Sequence, residues 1–284
     1  MAKKLLAKEV TAAMLEGLAQ RTSRLKEQNI TPKLAIVRCG EDPSDLAYER
    51  GALKRASQAG VEVQIIALPE TADKQTLIST LEALNQDESV HGVLLFRPLP
   101  SHLKKDQEEI CNTLRPEKDV DCMTDLSYAG IFTGKKLGFA PCTAQAVLEM
   151  LDHYEIGLAG KRVAVIGRSL VIGKPVSVML ICRNATVTVC HTRTKDVPSV
   201  TREADIIVSA AGAANSLTAD HVRPGQTVID VSVNFTEDGM CGDSVFEDVE
   251  PIVDAITPVP GGVGGVTSTV LISHVVEAAE RSAI

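Results

Sequence analysis

The sequence contains no tryptophan and only three tyrosines and five phenylalanines in 284 residues. Few aromatic side chains are therefore available to grip a flat ligand. No apolar run approaches the ~18 residues that a membrane-spanning helix needs. The N-terminus carries charges at helical spacing, with no long apolar stretch and no cleavage site, so we expect no signal peptide. We therefore expect a cytoplasmic protein with no membrane partner.

Basic residues are outnumbered, with 29 Lys and Arg against 37 Asp and Glu, for a net charge of −8. This balance argues against nucleic acid or an anionic membrane surface as a partner. The seven cysteines are odd in number and include no Cys-x-x-Cys pair. That pattern argues against a disulfide framework and a zinc site, so we expect no metal. Cys182 and Cys190 lie in apolar runs and are predicted to be buried thiols.

The first half of the chain alternates strand and helix signals, which predicts a parallel sheet with crossover helices. Asp42 and Pro43 suit the start of a helix that ends near Gly60. The other predicted elements are strands at 33–39, 61–68 and 90–96 and a helix at 73–85. Pro98-Leu99-Pro100 forms a rigid loop at the carboxyl end of the last strand, where open α/β sheets bind ligands.

The second half predicts another α/β unit. A helix at 143–155 leads to strands at 163–166, 185–190, 205–208 and 227–231. Residues 256–265 contain four glycines and two prolines, too many for the interior of a helix or strand. We expect a loop there that lets the backbone approach a ligand closely, followed by an apolar C-terminal helix.

Residues 161–173 carry the strongest functional signal. A β-branched run breaks at Gly167, and Gly173 opens an amphipathic segment with Pro175 in its first turn. A strand, a tight turn and a helix N-terminus hold a dinucleotide pyrophosphate. After the next strand, Thr192 and Arg193 occupy the region where an NAD site usually has an acidic residue, which favours NADP over NAD. An ordinary α/β turn without a ligand is the alternative.

Several short motifs occur in order along the whole chain. They are Tyr48 on its helix, Gly92-Val-Leu-Leu95, Pro98-Leu-Pro100, Pro116-Glu-Lys-Asp-Val-Asp121, Pro141-Cys-Thr143, Gly167-Arg-Ser-x-x-x-Gly173, Ala185-Thr-Val-Thr-Val-Cys-His191, Val228-Ile-Asp-Val231 and Ile256-Thr-Pro-Val-Pro-Gly-Gly-Val-Gly264. Together they resemble the methylenetetrahydrofolate dehydrogenase/cyclohydrolase family of bifunctional folate enzymes.

The resemblance implies two α/β domains with a cleft between them, a homodimer, and NADP chemistry on tetrahydrofolate one-carbon derivatives. It implies a folate-binding domain at 1–140, completed by the C-terminal helix at 267–284. The second domain, at 141–266, would be a Rossmann-like NADP-binding domain.

The resemblance also implies the roles of individual residues. Tyr48 would stack on the aminobenzoyl ring, and Asp121 would bind the pterin amino group and ring nitrogen, whereas Asp119 is expected to be structural. Tyr48 and Asp121 are the expected catalytic residues. The expected substrate-binding residues are Tyr48, Phe96, Pro98, Asp121, Pro260 and Gly261. The expected cofactor-binding residues are Gly167, Arg168, Ser169, Ile172, Gly173, Thr192, Val233, Gly264 and Thr267.

The sequence departs from the family pattern at positions that carry chemistry. The family has Tyr-x-x-x-Lys on its catalytic helix, where this chain has Tyr48 and Ala52, and it has glutamine where this chain has Phe96. Cys122 stands where glycine is usual, and the usual Gly-Pro-Met-Thr reads Gly-Gly-Val-Thr at 264–267. Arg97 is predicted to point away from the site, because neighbouring strand residues face opposite sides.

Neither Ala52 nor Phe96 transfers a proton, so the leading hypothesis is a dehydrogenase that has lost most or all cyclohydrolase activity. A bifunctional enzyme with a substitute proton-transfer group is one alternative. A non-catalytic folate or NADP binding protein is another. A dehydrogenase for a different substrate on a shikimate-type scaffold would need a Lys/Asp pair that the sequence does not reveal.

Overall fold

The computed structural model describes residues 1–237 and 239–283 and divides into two compact units. The three-stranded unit comprises Ala12–Cys142 together with the segment from Ser268 onward. The six-stranded unit comprises Met1–Thr11 and Thr143–Thr267. Within the described residues, no helix is both long enough and apolar enough to cross a membrane.

The elements follow each other in a regular α/β order. The strands are β1 (Lys3–Lys4), β2 (Lys33–Cys39), β3 (Glu62–Leu68), β4 (Gly92–Leu95), β5 (Arg162–Ile166), β6 (Thr186–Cys190), β7 (Ile206–Ser209), β8 (Thr227–Asp230), β9 (Asn234–Thr236), β10 (Gly239–Cys241) and β11 (Ala255–Ile256). The helices are α1 (Ala7–Glu27), α2 (Pro43–Ala59), α3 (Lys74–Gln86), α4 (Gln107–Asn112), α5 (Asp125–Thr133), α6 (Cys142–His153), α7 (Gly173–Cys182), α8 (Val197–Arg202), α9 (Phe246–Val249) and α10 (Thr267–Ser282).

The three-stranded unit has a parallel sheet in the order β3-β2-β4, as the sequence predicts. Asp42 caps α2 by accepting a hydrogen bond from the Ser44 N–H at 2.8 Å, and Gly60 ends the helix in a left-handed conformation. Both helix signals are therefore confirmed. Strand β4 is shorter than the predicted 90–96, and this shortening matters for the site described below.

The six-stranded unit has a parallel sheet in the order β1-β11-β8-β7-β5-β6. Strand β5 lies between β6 and β7, so the chain adds β6 on one side of β5 and then crosses to the other side for β7. This reversal creates a topological switch point at the carboxyl ends of β5 and β7. Open α/β sheets bind their ligands at such a point.

Two details differ from the expectations. The expected division placed residues 1–11 in the first domain, whereas the structure places them in the six-stranded unit, because β1 pairs with β11. Cys182 was predicted to be buried and is exposed, because it lies at the end of α7 on the solvent side. The prediction that Cys190 is buried is confirmed.

Candidate nucleotide and folate sites

The switch point of the six-stranded unit is lined by the two glycines of the 161–173 motif. Gly167 follows β5 with a φ of 120°, and a Cβ on it would collide with the carbonyl oxygen of Ala210 after β7. A Cβ on Gly173 would collide with the carbonyl oxygen of Gly167. Only glycine fits either position, and the fit brings the N-terminus of α7 to the switch point. A helix N-terminus at this place binds anions such as a pyrophosphate.

The residues expected to hold a 2′-phosphate lie on two neighbouring loops of this unit. Arg168 and Ser169 are exposed after β5, and Thr192 and Arg193 are exposed after β6. The Nδ1 atom of His191 accepts a hydrogen bond from the Arg193 N–H at 3.1 Å, so His191 shapes the turn. The Ser169 hydroxyl accepts from the Ile172 N–H at 3.1 Å and closes the turn before α7. Cations and hydroxyls on these loops fit a phosphate ligand.

The structure also brings together two expected cofactor residues that are distant in sequence. A Cβ on Gly264 would lie 3.8 Å from the Val233 side chain, which is itself exposed. Gly261 follows Pro260 with a φ of 105°, which glycine adopts without strain. The Thr267 hydroxyl donates to the carbonyl oxygen of Gly264 at 3.1 Å. The glycine-rich loop and the loop after β8 therefore form one surface.

Asp243 organises the loops at this end of the sheet, and the sequence patterns did not single it out. It is fully buried, and its carboxylate accepts hydrogen bonds at 2.8–3.2 Å from the Ser209 hydroxyl, the Ala211 N–H, the Ala213 N–H, the Ser232 hydroxyl and the Asn234 side-chain amide. One side chain thus fixes the loops that follow β7 and β8. No local signal identifies such a role, because the partners are spread over 26 positions (209 to 234).

The three-stranded unit brings the expected folate residues Tyr48 and Phe96 into contact. Tyr48 lies on α2 and Phe96 directly follows β4; their ring centroids are 5.9 Å apart and their planes meet at 89°. This edge-to-face packing is a favourable arrangement for aromatic rings. Ala52 lies one helical turn beyond Tyr48 and is fully buried. Position 52 therefore offers a methyl group, and no proton donor or acceptor.

The loop that carries Asp121 is fixed by the buried carboxylate of Asp119. That carboxylate accepts hydrogen bonds at 2.6–2.9 Å from the Met123 N–H, the Thr124 N–H, the Thr124 hydroxyl and the Ser127 hydroxyl. Asp119 also forms a parallel bridge with Val93 of β4. These contacts fit the structural role expected for Asp119, and they place Asp121 beside the carboxyl end of β4.

Arg97 reaches Asp121, contrary to the expectation that it points away from the site. The Arg97 Nη2 atom lies 3.6 Å from Oδ2 of Asp121. The expectation was wrong because β4 ends at Leu95, so strand alternation does not extend to position 97. Oδ1 of Asp121 accepts from the Cys142 N–H at 3.3 Å. Burial raises the pKa of Asp121, and the positive charge of Arg97 opposes that rise.

Several titratable groups surround this carboxylate. Burial raises the pKa of Tyr128 to about 12, and it also raises the pKa of the Cys122 thiol. Burial also raises the pKa of the Cys142 thiol, which donates to the Val120 carbonyl oxygen at 3.4 Å. His274 lies 2.8 Å from the same carbonyl through Nδ1, and burial lowers its pKa. These groups are neutral at neutral pH and face Asp121 as packing or hydrogen-bonding partners.

The sheet order, the glycine-lined switch point and the exposed cations define the six-stranded unit as a Rossmann-like dinucleotide-binding unit. Residues 141–283 match the NAD(P)-binding domain of tetrahydrofolate dehydrogenase/cyclohydrolase, and residues 5–121 match the catalytic domain of the same enzymes. The chain belongs to the tetrahydrofolate dehydrogenase/cyclohydrolase family, as the sequence motifs predicted.

Similar proteins cover the whole chain. A Clostridium botulinum protein named bifunctional protein FolD is 46% identical over 284 residues, covering 99% of this chain and 100% of that protein. The bifunctional methylenetetrahydrofolate dehydrogenase/cyclohydrolase of Campylobacter jejuni has a TM-score of 0.95 at 37% identity, with 99% of each chain covered. The Trypanosoma brucei enzyme, solved with NADP and an inhibitor, has a TM-score of 0.91 at 31% identity, covering 99% of this chain and 98% of that chain.

Proposed function

We propose that this chain is an NADP-dependent 5,10-methylenetetrahydrofolate dehydrogenase that has lost most or all cyclohydrolase activity. The observation that carries the proposal is the buried methyl group of Ala52 one turn beyond Tyr48, where the resemblance expects a lysine. Phe96 stands in the place of the expected glutamine and packs on Tyr48. The parts that the dehydrogenase reaction needs are retained, whereas the parts that move a proton are replaced.

The dehydrogenase step requires orientation and electrostatics from the protein. Bound NADP would accept the hydride that leaves the methylene carbon of the folate. Tyr48 would stack on the aminobenzoyl ring, and Asp121 would accept hydrogen bonds from the pterin. Pro98 of the three-stranded unit, and Pro260 and Gly261 of the six-stranded unit, are substrate contacts that the resemblance implies. The cation that remains is delocalised over two folate nitrogens, so the protein takes up no proton in this step.

The cyclohydrolase step has a different requirement. Water attacks the methenyl cation and the ring opens, which needs a positioned acid or base worth roughly 10²–10⁴-fold in rate. Ala52 and Phe96 supply neither. The neighbouring groups are no substitute, because Arg97 stays protonated and the pKa of Tyr128 is raised to about 12. The proposed enzyme therefore releases methenyltetrahydrofolate.

The preference for NADP rests on the loops after β5 and β6. Arg168 and Thr192 would contact the 2′-phosphate, with Arg193 adding positive charge. Gly167, Ser169, Ile172 and Gly173 would contact the pyrophosphate at the start of α7. The nicotinamide would contact Val233, Gly264 and Thr267. The homodimer stays a prediction from the resemblance.

A paired assay on the purified protein tests the proposal. One arm follows NADP⁺ reduction with 5,10-methylenetetrahydrofolate, and the other follows the loss of 5,10-methenyltetrahydrofolate. We expect reduction in the first arm and no enzyme-dependent acceleration in the second. Comparable rates in both arms would overturn the loss of cyclohydrolase activity. A stoichiometric NADP complex that never oxidises the folate would favour a binding protein instead.

Restoring the lysine alone is expected to recover little cyclohydrolase activity. In Ala52→Lys, the new side chain starts from a fully buried position and meets Phe96 where a polar partner is expected. The double variant Ala52→Lys with Phe96→Gln should recover more activity than either single variant. Ala47→Lys, at an exposed position of the same helix, is the matched control. Full recovery in Ala52→Lys alone would show that the glutamine is dispensable here.

A further inference from the structure

Arg97 and Asp121 place a hydrogen-bond donor group and a hydrogen-bond acceptor group side by side at the carboxyl end of β4. The Arg97 Nη2 atom is 3.6 Å from Oδ2 of Asp121, which is an ion-pair distance and too long for a hydrogen bond. A guanidinium has five N–H donors, so this contact and the interaction with the Tyr128 hydroxyl leave donors of Arg97 available to a ligand. The two side chains are 22% and 30% exposed, so a ligand can reach both.

The pair occupies a fixed position beside the two aromatic rings. Phe96 contacts Tyr48 and immediately precedes Arg97 in the chain. The Arg97 guanidinium also interacts with the Tyr128 hydroxyl on α5. The Cys142 N–H holds the second oxygen of Asp121. Both members of the pair are thus held by other elements of the three-stranded unit, so they present a preformed polar edge.

The order of donors and acceptors on this edge matches one edge of a pterin ring. A 2-amino-4-oxopteridine presents, side by side, an amino N–H, a ring N–H and a carbonyl oxygen. A carboxylate accepts from two adjacent N–H groups, and a guanidinium donates to the neighbouring oxygen. Asp121 alone would accept hydrogen bonds from the two N–H groups and would leave the carbonyl oxygen without a charged partner.

We propose that Arg97 is a substrate-binding residue that donates a hydrogen bond to the 4-oxo group of the pterin and makes the site selective for 4-oxo over 4-amino pteridines. The inference rests on the proposed function, since it assumes that Asp121 binds the pterin. It goes further by assigning a role to a residue that the family motifs do not single out in this chain. It also gives a role to the arginine that lies beside the partly exposed carboxylate of Asp121.

The experiment compares two ligands that differ along one edge of the pteridine, at ring position 3 and at position 4. Folic acid carries the 4-oxo group with a ring N–H beside it, and aminopterin carries a 4-amino group beside an unprotonated ring nitrogen. Their dissociation constants are measured by calorimetry on the full chain, for the wild type, Arg97→Leu, Arg97→Lys and the control Arg115→Leu. Arg115 is an exposed arginine of the same unit that pairs with Glu117. NADP affinity and the thermal midpoint of each variant are measured alongside.

In Arg97→Leu, we expect the affinity ratio of folic acid to aminopterin to move at least about tenfold toward aminopterin, as for the loss of one hydrogen bond to a charged group. Arg97→Lys should keep part of the selectivity, and Arg115→Leu should keep all of it. Equal weakening of both ligands in Arg97→Leu would overturn the inference, because it would show that Arg97 only positions Asp121. If Arg97→Leu does not fold, the ratio in Arg97→Lys decides: an unchanged ratio overturns the inference. Wild-type protein that binds neither ligand but reduces NADP⁺ with 5,10-methylenetetrahydrofolate would overturn the inference, whereas wild-type protein that does neither would refute the proposed function.

Discussion

At the residue scale, Asp121 is the group whose charge the proposed folate site would depend on. Its carboxylate would have to be ionised to accept hydrogen bonds from two pterin N–H groups, as proposed. Burial raises the pKa of Asp121, and Arg97 limits the rise. The titratable and charged groups that face it are Arg97, Asp119, Cys122, Tyr128, Cys142 and His274. Of these, Arg97 is the positive charge that opposes the rise in the pKa of Asp121.

This balance predicts the acid limb of the pH profile. As the pH falls through the raised pKa, Asp121 is protonated and loses acceptor capacity, so kcat/KM for the folate should fall. Arg97→Leu removes the opposing charge, so the acid limb should move to higher pH. The measurement is kcat/KM against pH for both proteins, with kcat/KM for NADP as the internal control. An acid limb that stays in place in Arg97→Leu would contradict the prediction.

The positions of individual residues at the site were predictable from the sequence only where the residue belongs to a recognisable motif. Tyr48 and Asp121 belong to ordered motifs, and the structure places both in one unit. The position of Arg97 was not predictable, because strand alternation gives the wrong face once β4 ends at Leu95. Asp243 was not predictable either, because its five partners come from two segments, 209–213 and 232–234, that are separate in the sequence.

At the element scale, the close approach of β4 to the loop at 119–121 depends on Gly92. A Cβ on Gly92 would lie 2.6 Å from Cγ1 of Val120 and 3.0 Å from Cγ2 of Val275. Both neighbours are β-branched and buried, so they cannot easily turn away. Asp121 directly follows Val120, so the position of the carboxylate follows from this contact.

Gly92→Ala should therefore destabilise the protein and weaken folate binding together. Overpacking of this kind costs about 1–3 kcal/mol, and a displaced Val120 would move Asp121. Gly17→Ala is the matched control, because a Cβ there meets nothing within 4 Å in the middle of α1. That control should gain roughly 0.5–1 kcal/mol of stability. The measurements are denaturant unfolding and KM for the folate; an unchanged KM in Gly92→Ala would refute the coupling.

In the six-stranded unit, Asp243 holds the loops after β7 and β8 together through its hydrogen bonds. Asp243→Asn loses the charge that two backbone N–H groups and two hydroxyls share. We expect a loss of about 2–4 kcal/mol of stability. NADP affinity should fall roughly tenfold or more, in line with the loss of a charged hydrogen-bond partner, while folate affinity is unchanged.

Asp248→Asn is the control for this variant, since Asp248 is exposed on α9. Calorimetry with NADP and with folic acid separates the two affinities. Equal weakening of both ligands in Asp243→Asn would show general unfolding, and unchanged NADP affinity would show that the loop arrangement does not depend on this carboxylate.

The elements themselves were predicted to different degrees, for local physical reasons. The start and end of α2 follow from an Asp–Pro cap and a terminal glycine, which act within a few residues and are visible in the sequence. Strand ends depend on which partner strand continues, so β4 was predicted too long and β7 was displaced by one residue. The parallel order within each sheet followed from the alternation of strands and helices.

At the scale of the whole molecule, the α/β class and the two-unit organisation were predictable, but the path of the chain between the units was not. Strand β1 is two residues long and joins the sheet through pairing with β11, 252 positions away in register (Lys3 with Ala255). Such a pairing leaves no local pattern. The N–H of Leu6 also donates to the Tyr154 hydroxyl at 2.7 Å, another long-range contact that fixes this segment.

The choice between NADP and NAD can be measured on the unfolding of the whole chain. A ligand that binds only the folded state at about 100 times its dissociation constant adds roughly 2.7 kcal/mol of stability, which corresponds to several degrees in Tm. NADP should raise Tm more than NAD at equal concentration, because Arg168 and Thr192 would contact the 2′-phosphate and Arg193 would add positive charge beside it. Arg168→Ala should reduce the NADP shift to about the NAD value and leave the NAD shift unchanged.

Lys161→Ala is the control for that comparison, because Lys161 is an exposed cation at the opposite, amino end of β5. It should keep the difference between the two nucleotides. Equal shifts with NADP and NAD in the wild type would contradict the reading of the β5 and β6 loops as a phosphate site. The difference between the NADP and NAD shifts could instead survive in Arg168→Ala and disappear in Arg193→Ala. That result would place the 2′-phosphate contact on the loop after β6, because the two guanidiniums lie on separate loops and Arg193 alone would then discriminate between the nucleotides.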